Sequence, residues 1–337
     1  MPDRREGTPR VGLMVIGGTI DALEIEGSRR QPGMLASARI ATDEIVATVE
    51  RLATLPKLDI LPGPQRLSHE LENGDWIDIA QRIQEVLDGE TVDAVVVTHG
   101  TNNLEELAYF LSLTVHSEKP VVITGAMLPW NSAGADGCWN LINAIRVAAS
   151  PASWRRGILV AFGRDVFEPR SLTKVSTHAL SAFAAPGAGP IGRFDGEGGV
   201  RYNRPPQQRF SGPPVIVLAE ALKMPRVDIV VSYVGADGTI IESCVASGAA
   251  GLVTAAGGGG VVTPREHAAL LKAVAGGVIV CQASRVSGGV AQLTNERSDN
   301  GFVAAGDLSP WKARILLMLA LTQSRDVNRI REFFNAY

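Results

Sequence analysis

Cysteine and histidine are both scarce in this chain, and each scarcity closes off a class of chemistry. The three cysteines (Cys138, Cys244, Cys281) are an odd number without metal-ligand spacing. They read as reduced thiols of a cytoplasmic protein, not as a disulfide framework. The five histidines do not cluster, so no metal site is expected. No Gly-Lys-Ser/Thr follows a glycine-rich turn, so a Walker-type phosphate loop is absent and no cofactor is expected. The formal net charge is −3, with Lys and Arg scattered, which leaves no basic face for nucleic acid. Apolar runs are short: Ile315–Leu321 falls far below the roughly 20 residues that cross a bilayer, so no membrane association is expected. The opening MPDRREGTPR leads straight into VGLMVI, which lacks the length and cleavage site of a secretory signal.

What is present is a βα rhythm. At 337 residues the chain suits two domains. Short β-branched runs alternate with amphipathic segments of helical length. Strands are predicted over Val11–Ile16, Lys57–Leu61, Ala94–Thr98 and Val121–Thr124, and helices over Thr42–Ala53, Trp76–Leu87, Leu104–Thr114 and Gly137–Ala149. Fully apolar strands bounded by Gly and Pro suit a parallel sheet covered on both faces. Between about Gly187 and Pro225 the rhythm gives way to a Gly- and Pro-rich connector with room for short hairpin strands. It then resumes with Ile229–Tyr233, Ile240–Ala246, Gly251–Thr254, Pro264–Ala275, Val278–Cys281 and a last helix Pro310–Thr322. The expectation is an α/β chain with a larger N-terminal parallel-sheet domain (1–190), a connector (191–225) and a smaller C-terminal α/β domain (226–337).

Two strands end in glycine-rich turns that carry threonine. VGLMVI runs into Gly17-Gly18-Thr19-Ile20, and AVVVT runs into His99-Gly100-Thr101-Asn102-Asn103. Ligands bind outside the carboxyl ends of parallel strands, where glycine lets backbone approach closely, so both hydroxyls are expected at one rim. Each threonine has a plainer role open to it: Thr19 can bond within its turn, and Thr101 can cap the helix starting at Leu104.

Taken together, GGTI, THGTNNLEELAYFLSLTV, KPVVITGAMLP, SAGADGCWNL, LTKVST, SRVSGG and GFVAAGDLSPWKARILLMLALTQ occur in an order that resembles the bacterial-type asparaginase and glutaminase family, from about residue 10 to 337. The resemblance implies that family's two-domain fold, assembly as a homodimer or homotetramer, and hydrolysis of a small-molecule amide. It implies Thr19 as nucleophile, with Thr101 and Lys174 as the second threonine and its paired lysine. It also implies that Ser68, Gly100, Ala126 and the neighbouring His69 and Asn102 line the substrate pocket. A threonine hydroxyl needs a base to take its proton, and a desolvated lysine can serve.

The chain departs from the family where the substrate's amino group is bound. Asn102 stands where the family has Asp, His69 follows Ser68 where Gln or Ser is common, Gly259 replaces a frequent Asn, and no tyrosine precedes Tyr109. Glu70 and Glu296 are the candidate compensating acids. These departures leave several readings open besides an asparagine hydrolase. They are a hydrolase of an amide, lactam or imide without a free α-ammonium, a ligand-binding relative without turnover, and an amidotransferase component, for which an RNA-binding domain is missing.

Overall fold

The computed structural model describes residues 9–24, 38–89, 91–195, 198–206, 216, 218 and 223–337. The chain divides into two compact units, Met1–Val215 and Ile216–Tyr337. Residues 25–37 lie outside the described residues, as does most of 207–222 in the expected connector.

In the first unit β1 (Arg10–Val15), α1 (Thr42–Leu52), β2 (Lys57–Leu61), α2 (Asn73–Asp88), β3 (Ala94–Thr98), α3 (Leu104–Thr114), β4 (Val121–Thr124), α4 (Gly137–Ala149) and β5 (Ile158–Phe162) follow one another. They build a parallel sheet in the order β5-β4-β3-β1-β2. The central strands AVVVT, VVIT and ILVAF are buried at every residue, because helices cover both faces. Leu13, Val96, Val122 and Leu159 on one face pack with Leu141 and Ile145 of α4 and Ile45 and Val49 of α1. On the other, Trp76 of α2 meets Phe110 of α3 with ring centroids 5.5 Å apart.

The predicted all-parallel rhythm ends at β5. Gly163, at φ +60°, turns the chain back into β6 (Asp165–Phe167), antiparallel to β5. A two-residue hairpin of β7 (Thr173–Lys174) and β8 (Phe183–Ala184) stands apart from that sheet. β9 (Gly192–Phe194) and β10 (Val200–Tyr202) then extend the sheet antiparallel, beyond β6. β6, β7 and β8 fell outside the sequence reading because two or three residues are too few to show a period, while β9 and β10 lie where the connector left room for short hairpin strands.

The second unit contains β11 (Val227–Val231), α5 (Thr239–Ala246), β12 (Gly251–Ala256), α6 (Pro264–Ala275), β13 (Ile279–Ser284), α7 (Asn295–Asp299), β14 (Val303–Ala304), α8 (Pro310–Gln323) and α9 (Val327–Ala336). Its sheet is parallel, in the order β11-β12-β13-β14. Start signals are explicit here. Thr263 and Glu266 form a capping box ahead of Pro264, Ser309 caps α8 ahead of Pro310, and Asp326 caps α9. The predicted first strand sits two residues late, and Pro310–Thr322 is not the last helix. α9 buries only Ile330, Phe333 and Phe334 among charged neighbours, a stripe too narrow to stand out.

Candidate active site

The turns after β1 and β3 meet backbone against backbone. Gly17 and Gly18 adopt φ of +122° and +133°, a region that side chains rarely tolerate. A Cβ on Gly18 would lie 2.5 Å from Gly100 Cα, and a Cβ on Gly100 would lie 2.5 Å from Ser68 Oγ. The sheet ladder carries on past the strand ends and holds these turns in place: Ile16 N–H donates to Thr98 O at 3.2 Å and His99 N–H to Thr124 O at 2.8 Å. Thr19 and Thr101, each one residue beyond a touching glycine, are thereby carried to the same rim, Thr19 half-buried and Thr101 buried.

Lys174 reaches this rim from the β7–β8 hairpin. Its Nζ donates to Thr101 Oγ1 at 2.8 Å. Burial lowers the pKa of its amine below the usual lysine range, and the carboxylate of Glu105 works in the opposite direction. Ser68 is buried, and its carbonyl accepts from Asn103 Nδ2 at 2.7 Å, which ties the turn at 68–70 to the residue capping α3. His69 and Asn102 are exposed. Ala126 is fully buried, with its Cβ 3.6 Å from where a Cβ on Gly137 would stand, so its side chain packs against the start of α4.

The two acids considered as replacements for the family's Asp are otherwise engaged. Glu70 is exposed, and its Oε2 accepts from Leu67 N–H at 3.0 Å within its own turn. Glu296 belongs to the second unit, where its largely exposed carboxylate stands 4.0 Å from His267 Nε2.

Four supporting groups escaped the sequence reading. Asp136 takes Met127 N–H and Leu128 N–H at 3.0 Å, and Asn140 Nδ2 bridges Asp136 to Gly125 O, both bonds at 3.0 Å. This buried pair fixes the loop that carries Ala126. Both residues lie inside the SAGADGCWNL segment, so the signal was present but not its role. Asp21, 2% exposed and two residues past Thr19, pairs with Arg39 at 3.6 Å, and burial raises its carboxyl above the usual range. Its carbonyl accepts Ile40 N–H at 2.9 Å. Glu105 is 8% exposed in the first turn of α3. His99 is completely buried, its Nδ1–H donating to Gly100 O at 2.7 Å. Among the described residues no group of three or more His, Cys, Asp or Glu is placed to hold a metal, and no helix is long and apolar enough to cross a membrane.

Comparison with known proteins matches the family model described as Asparaginase, N-terminal to residues 10–208, and that described as Glutaminase/Asparaginase C-terminal domain to residues 226–334. L-asparaginase 2 of Escherichia coli (strain K12) is 34% identical over 334 residues, covering 98% of this chain and 93% of the relative. A protein of Haemophilus influenzae named as a probable periplasmic L-asparaginase is 33% identical over 335 residues, covering 98% and 93%. A crystal structure titled as a probable cytoplasmic L-asparaginase from Campylobacter jejuni superposes with a TM-score of 0.88 at 29% identity, covering 98% of this chain and all of that one.

Two expectations follow from the geometry. Gly18→Ala should force the two turns apart and lower stability by about 1–3 kcal/mol. Gly134→Ala, whose Cβ would meet open space at φ +76°, should cost distinctly less in thermal denaturation. Equal losses would refute the close approach. Burial holds the His99 imidazole down at about 4, below its unfolded value, so its contribution is present above about pH 6.5 and lost as pH falls toward 4. That loss amounts to about 3 kcal/mol at most. Melting followed from pH 7 to pH 4 should fall less steeply in His99→Gln, and parallel curves would exclude His99 as the titrating group.

Proposed function

This chain belongs to the bacterial-type asparaginase family, and on that premise we propose that it cleaves a small carboxamide through Thr19, with Thr101 and Lys174 managing the proton. It is an amidohydrolase of linear amides, as its relatives are named. The observation that carries the finer reading is the 2.8 Å bond from Lys174 Nζ to Thr101 Oγ1, beside the touching turns at Gly18 and Gly100.

In the proposed reaction the Thr19 hydroxyl oxygen attacks the amide carbon, and its proton passes to the neutral amine of Lys174 by way of Thr101. The partial burial that disfavours the ammonium raises the fraction of Lys174 able to accept it. The carbonyl electrons move onto oxygen, where N–H groups of the glycine-rich turns stabilise the oxyanion. The C–N bond then breaks, and the leaving nitrogen takes the proton and departs as ammonia. Water attacks the resulting ester, giving the acid and returning the proton to Thr19. Cytoplasmic placement belongs to the same proposal. Its support is three free cysteines and likeness to a structure titled cytoplasmic, although one relative is named periplasmic.

L-Asparagine is the reference substrate, and Asn102 favours a narrower choice. A carboxylate there would pair with an α-ammonium; residue 102 is exposed, and once a bound substrate covers the contact, removing one partner costs about 2–5 kcal/mol. That corresponds to roughly 30- to 4000-fold in affinity. The neutral amide of Asn102 therefore favours an amide whose amino group is acylated or absent.

Thr19→Ala should abolish ammonia release from every member of a panel of small amides that includes L-asparagine and N-acylated amino-acid amides. Lys174→Met should lower kcat by about 10²- to 10⁴-fold with the circular dichroism spectrum unchanged. Full turnover by either variant would remove the mechanism. Separately, Asn102→Asp should lower KM for free L-asparagine at least tenfold, while a low KM in the wild-type chain would eliminate the altered amino-group recognition.

A further inference from the structure

We propose that Glu105 is a positioning residue for this reaction: from the first turn of α3 its buried carboxylate seats Lys174 and supplies the negative charge that residue 102 does not carry. The inference rests on Lys174 acting as the base. Lys174 is gripped at two points by one short segment. Thr101 Oγ1 holds its Nζ at 2.8 Å, and Glu105 Oε1 accepts its backbone N–H at 3.4 Å. The two gripping residues are four apart, joined through the capped start of α3, where Glu106 N–H and Leu107 N–H donate to Asn103 O at 3.1 Å. The base and the hydroxyl it serves are therefore referred to the same rigid helix end. A carboxylate in the first turn also lies at the positive end of the helix dipole.

The charge balance around Lys174 follows from its neighbours. From α3, Glu105 faces it and half-buried Glu106 follows. The turn leading into β7 carries Arg170 and Glu168, whose Oε1 accepts from the Ser171 hydroxyl at 3.5 Å. β8, paired opposite, contributes Phe183 and Ala184 and no charge. The loop after β3 offers neutral Asn102, and His99 behind it is held uncharged by burial. Glu105 is the carboxylate whose field opposes the burial of Lys174.

Removing that charge leaves burial unopposed, so the Lys174 amine loses its proton more easily. In Glu105→Gln the acid limb of the kcat/KM profile, set by deprotonation of Lys174, should move to lower pH by about one unit. The amide oxygen this variant keeps can still accept the Lys174 N–H, so plateau kcat and KM should change little. Asn102→Asp, which adds a carboxylate at the residue next to Thr101, should move the same limb to higher pH. Should the amide variant fail to fold, Glu105→Asp carries the test, because withdrawing the carboxylate by one methylene should move the limb partway down. A loss of activity with the limb unmoved would reduce Glu105 to a structural role and overturn the proposal. Lys174→Met assayed alongside separates the two levels. An active Lys174→Met enzyme would sink the lysine-base reading itself. An inactive one, with an unmoved limb in the Glu105 variants, would sink only the role of Glu105.

Discussion

Gly18 and Gly100 touch where no side chain fits, and the geometry of the rim depends on that contact. Parallel strands lie about 4.8 Å apart, too close for two ordinary turns to leave their ends side by side with side chains between them. Two glycines at positive φ on one strand end and a third glycine on the next remove the obstruction. The residue after each contact is a threonine, so the constraint that lets the backbones meet also brings the hydroxyl-bearing residues to one edge. Ser68, whose Oγ occupies the space a Cβ on Gly100 would need, closes the third side.

Packing of this kind leaves buried polar groups that must be satisfied, and the satisfied ones hold the loops. Asp136 and Asn140 take up the backbone of residues 125–128, and Asn103 takes up the carbonyl of Ser68. His99 uses Nδ1 on the carbonyl of Gly100 and stays neutral. Of these, the Asn103–Ser68 bond joins two loops 35 residues apart, while the others pin a loop to itself or to the helix that follows it. A buried hydrogen bond contributes only about 1 kcal/mol net, but an unmade one costs more, so the network specifies loop shape more than it adds stability. Asp21 shows the opposite balance: burial disfavours its charge, and Arg39 at 3.6 Å only partly offsets this.

The central strands and helices were legible in the sequence because their physics is local. The strands Ala94–Thr98 and Val121–Thr124 are buried along their whole length, the helices Leu104–Thr114 and Gly137–Ala149 are buried along most of theirs, and all four appear as expected. β6 was not legible, since a strand of three residues draws its stability from its sheet partners, whereas β9 and β10 pair as a short hairpin in the connector that left room for one. At the site, Thr19, Thr101 and Lys174 stood out as members of ordered motifs. Glu105 did not, because an acid in the first turn of a helix is what any helix favours. Its meaning depends on a hairpin 69 residues later folding against it. Asp21 and Arg39 were hidden for the same reason, the one reading as a turn residue and the other as a scattered surface charge.

Electrostatics at Lys174 links these observations to chemistry. A lysine that serves as a base must be desolvated enough to lose its proton yet held firmly enough to stay aimed at its partner. These demands conflict, because the carboxylate that anchors an ammonium also stabilises it. Here the anchoring is divided. Glu105 contacts the backbone of Lys174, while the neutral hydroxyl of Thr101 contacts the amine. With the residue after Thr101 an uncharged asparagine, the amine keeps its alignment from a group that costs nothing in basicity, and the carboxylate acts through space on a residue it already holds by the main chain. On this argument the exchange of Asp for Asn changes two properties together. Under the proposed mechanism it would remove an anion suited to a substrate ammonium and leave the pKa of Lys174 to burial and Glu105, which would couple substrate choice and pH dependence through a single position.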